Sequence, residues 1–136
     1  KGVGLVISPW NFPIAIPCGG VTAALAAGNT VIFKPSSDAV LNAWQLCQCF
    51  WQAGVSKKAL QFVPCSGASV GPRLTSSPLV DFIILTGGGC GLLYQRLIPV
   101  LDHRNVILAE DASELHLANV RGGMKLWRLY EALNVL

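Results

Sequence analysis

Residues 24–35 read Ala24-Leu-Ala-Ala-Gly-Asn-Thr-Val-Ile-Phe-Lys-Pro35, and this short stretch contains a complete structural transition. Its first residues continue an apolar helical run that begins near Val21. Gly28-Asn29 is a helix stop, because glycine enters the left-handed backbone region at little cost. Thr30 to Phe33 is β-branched and aromatic and reads as a strand. Lys34 to Asp38 is loop chemistry, with Ser37 or Asp38 placed to cap a following helix. A helix that hands over to a strand this quickly is the signature of an α/β chain.

The same rhythm extends in both directions. Residues 2–7 (GVGLVI) form a buried strand, followed by a loop with Pro9 and Pro13, and Pro13 or Pro17 suits the first turn of a helix. A second helix is predicted over residues 39–53, stopped by Gly54. With Val40, Trp44, Cys47 and Trp51 on one side and Leu46, Cys49 and Phe50 on another, it is apolar nearly all round, so it is expected to be buried, with both tryptophans packing in a core or interface. Further strands are predicted at residues 60–63, 80–85 and 105–109. Helices are predicted after residue 71, over 92–101 and over 124–136. The expected fold is α/β: a Rossmann-like, doubly wound parallel sheet of about five strands with helices on both faces. Residues 1–110 are expected to form the core and 111–136 a divergent tail with a helix.

Composition narrows the function. The chain has 136 residues, 52% hydrophobic and only 12% charged, with a formal net charge of +3. So few charges imply faces covered by other chain or by a second copy, and self-association is expected. The basic residues are scattered rather than striped, so no nucleic-acid partner is expected. Residues 2–33 carry no charge, but prolines, paired glycines and asparagines interrupt them, so no membrane partner is expected either. The cysteines, Cys18, Cys47, Cys49, Cys65 and Cys90, are odd in number and form no CxxC pair. They are read as reduced, small apolar side chains in a cytoplasmic protein, with no metal site.

In parallel α/β sheets ligands bind beyond the carboxyl ends of the strands. Asn11, Lys34, Gly67 and Gly87 each follow a predicted strand. No Walker sequence is present and residues 87–91 do not fit G-x-G-x-x-G. Glycine-rich turns alone are weak signals, although turns gathered at helix starts suit a pyrophosphate.

Three blocks carry a resemblance. Ile7-Ser-Pro-Trp-Asn-Phe-Pro13, residues 24–35 quoted above, and Phe82-Ile-Ile-Leu-Thr-Gly-Gly88 resemble, in order and spacing, blocks of the aldehyde dehydrogenase superfamily. The wording of residues 12–17 and 34–40 is most similar to glutamate-semialdehyde (1-pyrroline-5-carboxylate) dehydrogenases, including those of bifunctional proline-utilisation proteins. The resemblance is strong over residues 2–91 and weaker over 105–110. It implies NAD as cofactor, an aldehyde substrate, and a chain that covers a cofactor-binding region.

It also implies roles. Asn11 would face the oxyanion of a hemithioacetal, where the residue without the resemblance reads first as a loop cap. Lys34 would bond the adenosine ribose hydroxyls, against a plain reading as a solvated lysine. Ser36 and Ser37 would lie beside that ribose, against a reading as helix caps. Gly67 and Gly71 would let backbone approach the adenine and pyrophosphate. Thr86, Gly87 and Gly88 would underlie the pyrophosphate and nicotinamide ribose, with Ile7, Ser8, Pro9 and Trp10 lining the pocket. Departures accompany the match. Ser37, next to Asp38, stands where many members hold a ribose-binding glutamate, which implies that NADP is accommodated. The turn after Thr86 is one residue short. Glu110 falls at the general-base position, but it also reads as a solvated carboxylate in an acidic turn with Asp111 and Glu114. No cysteine follows Cys90, so the thiol nucleophile of the family has no counterpart and the chain is expected to be inactive alone. The alternative is a truncated, non-catalytic α/β binding domain.

Overall fold

The computed structural model describes residues 2–86 and 105–109. The helices expected over 92–101 and 124–136, the tail, and Gly87, Gly88, Cys90 and Glu110 lie outside the described residues. Five strands, β1 (Val3–Ile7), β2 (Thr30–Lys34), β3 (Leu60–Phe62), β4 (Phe82–Thr86) and β5 (Asn105–Ala109), form one sheet in the order β3-β2-β1-β4-β5. All its pairings are parallel. Among the described residues three helices connect β1 through β4: α1 (Ala15–Ala26), α2 (Val40–Gln52) and α3 (Gly71–Thr75).

Alternation along the strands sorts the helices onto two faces. Val6, Val31, Phe33, Leu60 and Ile84 join Val21 and Ala24 of α1 and Ala43, Leu46 and Cys47 of α2 in one core. Leu5, Ile83 and Leu85 face the other way with Val80, and Leu74 of α3 packs there. The chain therefore builds outward from β1 to β3 on one face, crosses over, and resumes at β4. The reversal places a topological switch point between β1 and β4, where open α/β sheets bind ligands.

Side-chain and backbone chemistry explains the boundaries. Gly28 (φ 77°) and Gly54 (φ 99°) end α1 and α2. At each end the amide of the glycine and the next amide bond back into the last turn: Gly28 to Leu25 and Asn29 to Ala24, then Gly54 to Trp51 and Val55 to Phe50. This paired pattern satisfies helix carbonyls that would otherwise be orphaned. Asn29 does more than stop a helix. Its Nδ2 donates to the Ala24 carbonyl at 3.1 Å and its Oδ1 accepts from Gly2 N at 3.0 Å, tying α1 to the start of β1. Asp81 acts similarly from the β4 side, accepting from Val3 N at 2.7 Å. Between them the strands sit so close that a Cβ on Gly4 would lie 2.4 Å from the Phe82 ring. Since open space surrounds Gly54, Gly54→Ala isolates backbone strain. It is expected to destabilise the chain by about 1 kcal/mol, read as a lower urea midpoint with an unchanged slope.

Two expectations need correction. Neither Ser37 nor Asp38 caps the helix: Ser36 Oγ accepts from Asp38 N at 3.4 Å and opens a 3-10 turn, Ser37–Ala39, that leads into α2. Asp38 instead donates its amide, and its carboxylate lies in the first turn, where negative charge is favoured. Nor is α2 buried all round. Ala43, Leu46 and Cys47 are buried, but Leu41 is 69% exposed, Trp44 41% exposed and Cys49 exposed. The reason is position: α2 covers the sheet at its β3 edge, so only one side meets the core. Trp51 does pack as expected, edge-on to Trp44 with centroids 5.4 Å apart, and its indole donates to the Leu60 carbonyl at 3.1 Å. No helix among the described residues is long and apolar enough to cross a membrane.

Candidate functional site at the carboxyl edge

Strand register gathers the sequence-predicted residues along one edge. Ile7 pairs with Lys34 on one side and with Leu85 on the other, and Thr86 follows directly. Past β3, Val63 N still bonds to the Phe33 carbonyl at 2.9 Å, so the loop carrying Gly67 leaves from the same edge. The switch point is stitched by Thr86 Oγ1, which donates to the Ile7 carbonyl at 3.4 Å, and by Ser8 N, which donates to the Lys34 carbonyl at 3.4 Å. Ser8 is buried and Pro9 half-buried, whereas Trp10 and Asn11 stand out from the edge.

Lys34 differs from both sequence readings of its surroundings. It does not follow a strand but is the last residue of β2, and it is no solvated surface lysine, being 7% exposed. Its ammonium donates to the Pro35 carbonyl at 2.9 Å and forms no ion pair among the described residues. Burying a cation with a single neutral acceptor is unfavourable unless further partners arrive. Gly67 is the neighbouring backbone: a Cβ there would lie 3.9 Å from Lys34 Nζ, an ordinary contact. A Cβ on Gly71, the first residue of α3, would meet open space. The packing of the chain itself therefore does not demand glycine at either position.

Asn11 makes no hydrogen bond among the described residues, and α1 has no side-chain cap at its N-terminus, so the loop-cap reading of Asn11 has no support. Ser36 is engaged as a cap, as described above, and Ser37 is exposed. Sequence reasoning missed one feature of this loop: Phe12 has a φ of 86°. Nothing in the composition of the loop signals it, since phenylalanine rarely adopts that region.

The four described cysteines are free, and no group of three or more His, Cys, Asp or Glu side chains among the described residues could hold a metal ion. Cys47 is fully buried in the α1/α2 core, and desolvation pushes its thiol from 9.0 to about 11. The folded chain thus keeps a proton that the unfolded chain releases earlier. The associated stability is whole below pH 9 and is lost as pH rises from 9 to about 11, by on the order of 1 kcal/mol per pH unit. The urea stability of the parent chain minus that of Cys47→Ala should shrink across that window. A constant difference would show that burial does not govern this thiol.

Residues 1–90 match the aldehyde dehydrogenase family. The chain belongs to that family. A 1-pyrroline-5-carboxylate dehydrogenase of Geobacillus thermodenitrificans is 46% identical over 101 residues, covering 73% of this chain and 20% of the relative. The chain thus spans about a fifth of the length of the curated relatives it matches. Among solved structures, the NADP-dependent glyceraldehyde-3-phosphate dehydrogenase of Bacillus halodurans, complexed with NADP, superposes with a TM-score of 0.75 at 31% identity, covering 80% of this chain and 22% of that one. A proline utilization A protein of Bradyrhizobium japonicum gives 0.72 at 34% identity, covering 81% and 12%. The aldehyde dehydrogenase likeness therefore extends from the quoted blocks to the sheet that carries them.

Proposed function

We propose that this chain holds a nicotinamide dinucleotide at the carboxyl edge between β1 and β4, as the cofactor-binding part of an enzyme that oxidises an aldehyde to a carboxylate. The observation that carries the reading is Lys34, a buried lysine whose ammonium has one carbonyl partner among the described residues, at the end of a strand beside the switch point. Ribose hydroxyls supply the acceptors that such a group lacks, and bonds from a charged donor are the strong ones. Ser36, Ser37, Gly67 and Gly71 flank that ribose and its pyrophosphate. Ile7, Ser8, Pro9, Trp10 and Thr86 line the inner end, with Gly87 and Gly88 next along the chain. NAD is the cofactor. NADP is accommodated as well, because Ser37 places no carboxylate at its position to repel a 2′-phosphate.

The bound dinucleotide would supply a hydride acceptor. Asn11, exposed and without a hydrogen bond among the described residues, would offer its amide to the oxyanion that develops on the aldehyde carbon. Glu110 would serve as general base. The substrate in this reading is a small aldehyde of the glutamate-semialdehyde type, in proline catabolism; likeness to proteins named 1-pyrroline-5-carboxylate dehydrogenase supports it. A cytoplasmic setting accompanies this reading, as does self-association through exposed apolar side chains such as Leu41, Trp44 and Leu79.

Tryptophan fluorescence tests the reading, because Trp10 stands 65% exposed at the edge. Titration with NAD should give a saturable change, and NADP a similar affinity. The chain should not reduce NAD with aldehyde added, because no thiol follows Cys90. No saturable change up to millimolar dinucleotide would favour a domain that kept the fold and lost the cofactor.

A further inference from the structure

The loop between β1 and α1 turns through an expensive residue. Phe12 is the non-glycine residue with positive φ among those described. There the Cβ crowds the following carbonyl, and a bulky side chain is an outlier. Packing of the ring does not offset this, for Phe12 is 70% exposed. Its neighbour Asn11 is of the type that visits the left-handed region at low cost, yet Asn11 is spared it. A loop required only to turn would turn more easily with the asparagine in the strained position. The sequence does the opposite, and so keeps an amide side chain at position 11.

The loop is also clamped at both ends. At its start, Ser8 N and Thr86 Oγ1 hold the end of β1 to its neighbours. At its end, the Phe12 carbonyl accepts from Ile16 N at 3.3 Å, while Ile16 and Pro17 are buried. Pro13 follows, and its ring disfavours right-handed helical backbone at the residue before it. Strained backbone persists where the surroundings over-determine it, and it gathers at functional sites.

We propose that Phe12 is a positioning residue: its left-handed backbone, clamped between β1 and α1, fixes the direction in which Asn11 leaves the carboxyl edge before any ligand arrives. This deepens, and rests on, the reading of Asn11 as the amide that faces the oxyanion. The phenyl ring is dispensable to the role and the backbone conformation is not.

Two substitutions in the 136-residue chain, without cofactor, decide it. Phe12→Asn keeps the left-handed conformation at lower cost, whereas Phe12→Gly removes the crowding and also frees φ. Both should lower the unfolding constant, by roughly threefold, in urea titrations. Relaxation of the Asn11 backbone amide should show order retained in Phe12→Asn and lost in Phe12→Gly. A purely structural residue would move stability and Asn11 order together, whereas here they separate in the glycine variant. The proposal is overturned if either variant raises the unfolding constant, if Asn11 stays as ordered with glycine, or if it loosens equally in both. Failure of the site reading shows elsewhere, as absence of dinucleotide binding by the parent chain.

Discussion

Replacing Lys34 with methionine is expected to weaken dinucleotide binding about ten- to hundredfold while leaving the fold at least as stable. Methionine keeps the length and apolar stem of lysine and removes the ammonium. In the free chain Lys34 is 7% exposed and, among the described residues, its ammonium bonds to the Pro35 carbonyl, so the fold loses little and is relieved of a buried charge. In the bound chain the same group would donate to ribose hydroxyls, and hydrogen bonds from charged groups are worth about 1.5–3 kcal/mol each. Stability and affinity therefore move in different directions. Urea unfolding and a dinucleotide titration on one preparation read both. Lost stability with unchanged affinity would make Lys34 a structural cation and remove the main support for the proposed site.

The second large effect lies in the core. Phe33 is fully buried near the end of β2, in one core with residues of α1 and α2, with its ring 6.1 Å from Phe62. Phe33→Ala is expected to destabilise the chain by about 3–5 kcal/mol. Domains of this size are stable by only about 5–15 kcal/mol, so the variant should be partly unfolded in buffer or close to it. Circular dichroism during urea titration checks this. A shift below about 1 kcal/mol would mean that the side chain is not where close packing matters.

The elements were legible where local chemistry decides them. Gly28-Asn29 and Gly54 mark helix ends because a left-handed residue is needed there, and both glycines have positive φ. Strands β1 and β2 read correctly because continuous apolar runs are what a central parallel strand requires. The described candidate residues lie along one sheet edge, since parallel strands send their following loops the same way. Long-range contacts account for what was not legible. The fourth strand reads from Val80, but β4 begins at Phe82, because Asp81 turns its carboxylate to the Val3 amide before the ladder starts. The helix α2 looks buried from composition, yet it lies at the β3 edge, and periodicity cannot say how far a sheet extends beyond a helix. The burial of Lys34 and the strain at Phe12 are likewise set by neighbours distant in sequence or by the clamped loop. These two features carry the function proposed here, and neither has a compositional signal.

In the proposed function a nicotinamide dinucleotide occupies the carboxyl edge between β1 and β4. Amide shift mapping by NMR during titration of the chain with NAD tests it most directly. Saturable shifts are expected, confined to the non-proline residues of 7–11 and 34–37, to residues 67–71 and to Thr86, with the amino-terminal ends of the strands unmoved. Saturable shifts centred elsewhere, or none up to millimolar NAD, would contradict it.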